Sequence, residues 1–365
     1  MKKKNVVIIF GGVSVEHEVS IVSANSILNN INIKKYRPIG IYMTKNGGFR
    51  YSEIIINNKK NKEFKPTNSV VSFEPGNKKC LVIDGCKKII PEIFFPIIHG
   101  TGGEDGSIQG LIRTLGVPFV GCDILGSAIT MNKVLTKELI ASHKINTAKY
   151  IKVDKKLEKF ELNKINKELG YPCFVKASNL GSSVGIFKVN TEEEAISKVK
   201  KALKYSKEVF IEESIINAKE IEVSILDTSK ELIISIPGEI NPSSEFYDYN
   251  AKYIDGKSEL SIPSKSLKND KKLINYIKRT SEEAFKILKC EGLVRVDFLY
   301  GSTLKNKSKK VYLSEINSIP GFTEISMYPK LLEYDGINYS SLIDKLIQFS
   351  LARFKKEHKL IKSIN

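Results

Sequence analysis

Two short stretches near the C-terminal third place oxygen-bearing side chains at matching intervals. In "GLVRVDFLY" Arg295 and Asp297 are two residues apart, and in "KKVYLSEINSI" Glu315 and Asn317 are two apart. Both stretches read as strands, and residues two apart on a strand share a face. If the strands pair, Asp297, Glu315 and Asn317 offer two carboxylates and an amide oxygen beside a guanidinium. That donor set suits a hard cation such as Mg²⁺, which keeps waters and takes phosphate oxygens for its remaining positions. The plainer reading is a solvated sheet face carrying an ordinary Arg–Asp contact.

A second candidate is "YPCFVKASNLGSSVGIFKV", a strand, a glycine-serine loop and another strand. Gly181 and Gly185 would let backbone N–H groups approach an anion, Ser182 and Ser183 add hydroxyl donors, and Lys176 adds charge. The GxxxxGK[ST] pattern is missing, and no helix follows the loop, so this is not the phosphate loop that feeds a helix N-terminus. A glycine-containing hairpin turn is the alternative. Lys133, in the helix-like block "ILGSAITMNKVLTKELIASHKI", is a further phosphate candidate or simply a surface lysine.

A third group lies near the N-terminus. "IHGTGGEDGSIQG" is a glycine-rich loop with two acids and His99 after an apolar strand. Loops at the carboxyl ends of parallel strands are where open α/β sheets bind ligands. His99 could donate to a substrate carboxylate or merely cap the loop. Glu16 follows the first strand and its Gly11-Gly12 turn, on the same sheet edge, where a carboxylate could take an ammonium group. "EFYDYNAKY", with Lys252 and Tyr253, reads as a polar loop able to fold over a site and exclude water, or as a hydrophilic connector.

The elements that must position these groups follow from the apolar periodicity. "NVVIIF", "YRPIGIYM", "CLVID" and "IFFPII" are short strands interleaved with a helix at "IVSANSILNNI", a βαβ rhythm that predicts a parallel sheet. The Lys/Asn-rich "NNKKNKEFKPTNS" reads as loop, Gly106–Leu115 as helix and "VPFVGC" as a last strand. A helix-like block follows from Ile124, then strand-loop-strand units flanking "TEEEAISKVKKALKYS". The third region predicts strands at "EIEVSIL" and "ELIISIPGEI", a long amphipathic helix around Asp270–Lys289, and a C-terminal helix from about Tyr339.

Bulk properties exclude several classes. The 365 residues are too many for one ordinary core. The five cysteines have no CxxC pair and the four histidines no HxxxH, against a disulfide framework or a zinc site. The formal charge is +17, but the lysines are spread along the chain with no arginine-rich arm, so the charge is read as composition rather than as a nucleic-acid footprint. The apolar run Val6–Phe10 is too short for a secretory signal, and no stretch is long enough to span a membrane. A cytoplasmic protein is expected.

These motifs occur together in one known family. "GGVSVEHEVS", "HGTGGEDGSIQG", "GSSVGIFKV", "FYDYNAKY", "RVDF" and "EINSIPGFTEIS" appear in the order and at about the spacing of the D-alanine–D-alanine ligases of the ATP-grasp superfamily, which the chain resembles over nearly its whole length. The resemblance implies an α/β and α+β chain of three domains: an N-terminal Rossmann-like domain with a parallel sheet (1–123), a central ATP-grasp domain with the glycine loop (124–216) and a C-terminal ATP-grasp domain (217–365). It implies a homodimer that makes D-alanyl-D-alanine for peptidoglycan precursors from ATP and two D-alanine molecules. Two Mg²⁺ ions, or Mn²⁺ in their place, would assist; neither nucleic acid nor membrane is involved.

The resemblance also implies roles. Lys133 and Lys176 would hold the α and β phosphates with Ser183, Lys252 would reach the γ-phosphate, and Glu212 and Glu220 would contact adenine and ribose. Asp297, Glu315 and Asn317 would bind the metal ions. Glu16 would take the ammonium of the first D-alanine, His99 would lie near its carboxylate, and Ser326 with Met327 would serve the second. Ser182 and Tyr253 would link to Glu16 and lock the loop shut, while Arg295 and the Gly321 N–H would stabilise oxyanion charge.

There are departures from the family pattern. Ala177 stands in place of a common proline, Asn179-Leu180 replaces a more polar pair, Glu324 replaces a small or neutral residue, and "EESIINAKE" has one residue more than usual. The alternative is a D-alanine–D-serine or D-alanine–D-lactate ligase of the vancomycin-resistance type. Val184, Met327 and Tyr253 favour dialanine, because those enzymes tend to carry phenylalanine, arginine and a histidine-containing loop there.

Overall fold

The computed structural model describes residues 3–57, 61–153, 156–181, 184–241, 259–268 and 270–360. Ser182, Ser183, Lys252 and Tyr253 therefore lie outside the described residues. The described residues form three sheets, each drawn from its own stretch of sequence.

The first apolar run becomes β1 (Lys4–Gly11), whose Val6–Phe10 are buried. Gly11 and Gly12 turn the chain at φ +91° and +102°, into α1 (His17–Asn30). A Cβ on Gly11 would come within 2.3 Å of the Met43 carbonyl oxygen, so the turn requires glycine there. The sheet continues with β2 (Tyr36–Met43), β3 (Phe49–Ile56), β4 (Lys62–Phe73), β5 (Leu81–Ile83), β6 (Lys87–Ile89) and β7 (Ile93–Pro96), in the order β6-β5-β4-β3-β2-β1-β7. Pairing is parallel where β1 meets β2 and β7, and the segments after β1 and β7 carry Glu16 and His99. From β2 outward to β6 it is antiparallel.

The stretch read as a Lys/Asn-rich loop is, from Lys62 onward, strand β4. Only Phe64 and Val71 of it are buried, so its apolar pattern is diluted by surface lysines and asparagines. Phe64 nevertheless stacks on Phe10, ring centroids 5.2 Å apart, and anchors the strand. "VPFVGC" contributes only a parallel bridge between Phe119 and Phe94, after α2 (Ser107–Thr114).

The expected single helical block after Cys122 is two helices, α3 (Ile124–Met131) and α4 (Lys133–Ser142). Asn132 separates them in extended conformation, φ −85° and ψ 100°, and its side chain caps α4 by accepting from the Leu135 N–H. Then come β8 (Tyr150–Val153), α5 (Lys159–Lys164), β9 (Cys173–Ala177), β10 (Ile186–Val189), α6 (Glu192–Ala202) and β11 (Val209–Glu213). The sheet is antiparallel, ordered β10-β9-β11-β8, so the glycine loop is the hairpin between β9 and β10.

The third sheet holds β12 (Ile215–Asp227), β13 (Leu232–Ile234), β14 (Gly238–Asn241), β15 (Glu259–Ser261), β16 (Leu293–Thr303) and β17 (Lys310–Asn317). Its order is β15-β14-β12-β16-β17, with β13 on β12. α7 (Lys271–Ile287) covers one face, burying Ile277, Ala284 and Phe285 against Val223, Val296 and Phe298. α8 (Met327–Tyr334) and α9 (Tyr339–Glu357) close the chain. Leu342, Ile343, Leu346 and Ile347 of α9 pack into the core of the first sheet with Val6, Ile8 and Phe95. No helix among the described residues is long and apolar enough to cross a membrane.

Candidate active site

On β16, Val294, Val296 and Phe298 face α7, which leaves Arg295 and Asp297 on the opposite face. On β17, Val311 and Leu313 face the core, but so does Ile316. The parity changes because Ser314 is an extra residue: Phe298 pairs with Leu313 while Asp297 pairs with Glu315. This bulge swings Glu315 and Asn317 onto the same side as Asp297. Arg295 then stands opposite Asn317. The strands read from sequence do pair, and their oxygen donors share a face.

Arg295 holds Asp297 through two bonds, Nε to Oδ1 and Nη2 to Oδ2, both 2.7 Å, and also lies 3.1 Å from Glu222 Oε2. Asn317 donates its amino group to Asp297 Oδ2 at 2.9 Å, so this bond uses its nitrogen and not its carbonyl oxygen. Glu222, on β12 in register with Asp297, was not singled out by the motif reading.

A cleft of about 700 Å³ lies between the second and third sheets. Lys133, Lys176, Glu212, Glu220, Asp297 and Glu315 all line it. Lys133 begins α4 because Asn132 breaks the helical block, and its Nζ donates to the Leu180 carbonyl at 2.6 Å and lies 3.6 Å from Glu315. Its side chain is only 13% exposed, so it is not a surface lysine. Lys176 lies on β9 opposite Ile186 and pairs with Glu212.

Glu212 also pairs with Lys137, a buried lysine on α4 that the motif reading passed over. Burial alone would raise the Glu212 carboxyl, yet the two ammonium groups hold it below the ordinary carboxylate range. Burial pulls Lys137 below the ordinary lysine range, against the pull of Glu212. A second bulge interrupts β12 within "EESIINAKE". Asn217 and Ala218 fall between the pairs Ile216–Ser302 and Lys219–Tyr300, opposite the single residue Gly301, and Asn217 adopts φ +51°.

A small cavity of about 40 Å³ brings the first sheet to this face, lined by Glu16, Glu104, Lys133, Gly181, Glu315 and Asn317 among others. The Glu16 carboxylate fits between two glycines: a Cβ on Gly100 would lie 2.6 Å from its Oε2, and one on Gly181 3.0 Å. The glycine loop thus reaches the N-terminal loops. His99 is buried, with Nε2 2.9 Å from Ser23 Oγ and Nδ1 3.0 Å from the Ile319 carbonyl. A carbonyl only accepts, so Nδ1 carries the proton and Nε2 accepts from Ser23. Burial holds this ring below the usual imidazole range, and it is neutral.

Glu104 takes the Gly100 N–H on Oε1 at 2.9 Å and the Ile319 N–H on Oε2 at 3.3 Å. Burial, then the neighbouring Glu16 carboxylate, push it up to about 8. His99 and Glu104 therefore tie the glycine-rich N-terminal loop to the segment after Asn317. Ser326 immediately precedes α8, and its Oγ turns back from the helix, accepting from the Thr323 N–H at 3.1 Å and lying 2.8 Å from Thr323 Oγ1. A Cβ on Gly321 would lie 3.1 Å from the same oxygen. The Met327 side chain is buried with Ile240 and Leu331.

Antiparallel sheets gripping a nucleotide-sized cleft, with a glycine hairpin on one lip and an acidic sheet face on the other, make this an ATP-grasp architecture. Family models agree. The D-ala D-ala ligase N-terminus model matches residues 5–122, and the D-ala D-ala ligase C-terminus model matches residues 139–348. The D-alanine–D-alanine ligase of Caldicellulosiruptor bescii is 41% identical, covering 98% of this chain and 98% of that protein. The solved D-alanine-D-alanine ligase from Coxiella burnetii matches with TM-score 0.82 and 29% identity, over 99% of this chain and 98% of its own. The VanG D-Ala:D-Ser ligase from Enterococcus faecalis matches with TM-score 0.80 and 32% identity, over 96% and 100%. The chain belongs to the D-alanine–D-alanine ligase family.

Proposed function

We propose that the protein joins two D-alanine molecules into D-alanyl-D-alanine, converting ATP to ADP and phosphate, for peptidoglycan precursor synthesis. The observation that carries this reading is the small cavity where Glu16 meets Lys133, Gly181, Glu315 and Asn317. A carboxylate able to bind an ammonium group stands there beside the side chains suited to phosphate and cation.

The carboxylate of the first D-alanine attacks the γ-phosphorus of ATP, the bond to ADP breaks, and an acyl phosphate forms. The amine of the second D-alanine, having lost a proton, attacks the acyl carbon, and phosphate leaves. Lys133, Lys176 and Ser183 hold phosphates, Lys252 reaches the γ-phosphate, and Glu212 and Glu220 take adenine and ribose. Glu16 orients the first ammonium, and Ser182 and Tyr253 link to it. His99 lies near the first carboxylate, Ser326 and Met327 form the second subsite, and Arg295 with the Gly321 N–H stabilises oxyanion charge.

Asp297, Glu315 and Asn317 fit Mg²⁺, or Mn²⁺, because they offer oxygen donors only, on one sheet face. Among the described residues no group of three or more His, Cys, Asp or Glu side chains could hold an ion. Two carboxylates and an amide suffice for an ion that takes its other ligands from phosphate and water. When bound, such ions offset the phosphoryl charge that the lysines do not. A cytoplasmic homodimer completes the proposal.

The test is phosphate release from ATP by the purified protein with Mg²⁺ and D-alanine, with products identified by mass. D-Serine or D-lactate is then added as a competing second substrate. Release with D-alanine alone and dialanine as main product is expected. Mainly mixed product would move the reading to a resistance-type ligase, and no release with any D-amino acid would overturn it.

A further inference from the structure

Glu212 is buried near the end of β11 and takes two lysines, Lys176 from β9 and Lys137 from α4. The two are not equivalent. The Lys176 side chain is 15% exposed at the cleft, whereas that of Lys137 is 2% exposed. Lys137 Nζ also donates to Thr147 Oγ1 at 2.6 Å, whereas both ammonium groups lie near a ring, 5.9 Å from Tyr150 for Lys137 and 5.8 Å from Phe174 for Lys176. Lys137 is tethered; Lys176 is the partner with room to move.

Glu212 thus holds two ammonium groups, with the Glu213 carboxyl close by. A buried carboxylate deprived of its sole counter-ion is strongly destabilised. Were Lys176 the sole partner of Glu212, it could not leave for a phosphate without stranding that charge. With Lys137 in place it can.

We infer that Lys137 is a positioning residue for nucleotide binding: it keeps Glu212 paired while Lys176 transfers from the carboxylate to the nucleotide's phosphates. The inference rests on the assignment of Lys176 to phosphate in the proposed function. Lys137 acts through Glu212 and Lys176, and no covalent step is involved.

The experiment is calorimetric binding of ATP and of adenosine to the full chain without D-alanine, read as the ratio of the two affinities. Lys137→Met should lower the ratio about tenfold, the size of one charge-assisted hydrogen bond, and Lys137→Arg should preserve it. Thr147→Val, a milder change that keeps the charge, should lower it less and serves if Lys137→Met does not fold. Adding Glu212→Gln to Lys137→Met should restore the ratio, because the carboxylate that retains Lys176 is gone. In turnover, Lys137→Met should raise the KM for ATP more than it lowers kcat. Equal weakening of ATP and adenosine, or a double variant no better than Lys137→Met, would overturn the inference. Lys176→Met separates it from the reading beneath it. A ratio unchanged in Lys176→Met overturns the phosphate assignment and this inference with it. A ratio lost in Lys176→Met but kept in Lys137→Met overturns this inference alone.

Discussion

Asp297 and Glu315 stand opposite each other across the β16–β17 ladder, and Glu315 is turned toward that face by one extra residue, Ser314. Were Ser314 paired regularly instead of bulged, the alternation that buries Val311 and Leu313 would carry Glu315 and Asn317 into the core and turn Ile316 out. Deleting Ser314 makes Leu313 and Glu315 consecutive and so keeps them on opposite faces, with Glu315 still opposite Asp297; the deletion variant should retain ATP-dependent phosphate release and lose no more than about 1–3 kcal/mol. Ser314→Ala, which keeps the residue count, should stay within ~0.5 kcal/mol in urea unfolding and keep its activity. A deletion variant without activity would contradict the parity account, because Glu315 and Asn317 would then need more than the right face.

Glu315 is 30% exposed and is assigned to metal rather than to the core. Glu315→Gln should therefore raise the Mg²⁺ concentration for half-maximal activity about tenfold or more, and leave stability within about 1 kcal/mol. Activity titrated against Mg²⁺ checks it. An unchanged Mg²⁺ requirement would remove Glu315 from the metal set.

Gly100 touches Glu16 closely enough to decide where its carboxylate sits. Gly100 has φ +74°, and a Cβ would fall 2.6 Å from Glu16 Oε2. Gly100→Ala should raise the KM for D-alanine about tenfold while leaving ATP affinity unchanged, since the phosphate lysines are untouched. Gly47→Ala is the control: its φ is +82° but nothing lies within 4 Å of the added atom, so it should cost only ~1 kcal/mol of stability. Steady-state kinetics in each substrate separates the two.

Glu104 makes stability depend on pH with a definite sign. Its folded value of about 8 exceeds the ordinary 4.5, so between them the folded chain holds a proton that the unfolded chain has released. Stability from this group therefore falls as pH rises through that window and levels off above about 8. Urea unfolding from about pH 5 to pH 8 should show a steeper decline for the wild type than for Glu104→Gln, by about 1–3 kcal/mol across the range. Parallel curves would mean that Glu104 is ionised in the fold.

Much of this site can be read from the chain. Residues two apart put Arg295 with Asp297 and Glu315 with Asn317, and the glycine hairpin follows from two apolar runs around Gly181 and Gly185. The bulge at Ser314 also leaves a trace, because the apolar positions change parity between Leu313 and Ile316. Lys137 left no such trace. In a chain with 58 lysines and arginines nothing local distinguishes it, and its importance comes from pairing with Glu212, distant in sequence. Glu104 and Glu222 matter for the same reason, through burial and partners brought by the fold. Strand β4 escaped because few of its side chains are buried, so the hydrogen-bonded ladder rather than apolar alternation defines it.

The central claim is that this cleft activates a D-alanine carboxylate by phosphorylation. Its most direct test supplies the enzyme with ATP, Mg²⁺ and D-alanine labelled with ¹⁸O in both carboxylate oxygens, and reads the phosphate by mass. The account predicts one ¹⁸O in each phosphate released, because the oxygen that attacks the γ-phosphorus departs with it, and one in the new peptide carbonyl. Phosphate free of label, with dipeptide still formed, would contradict the account.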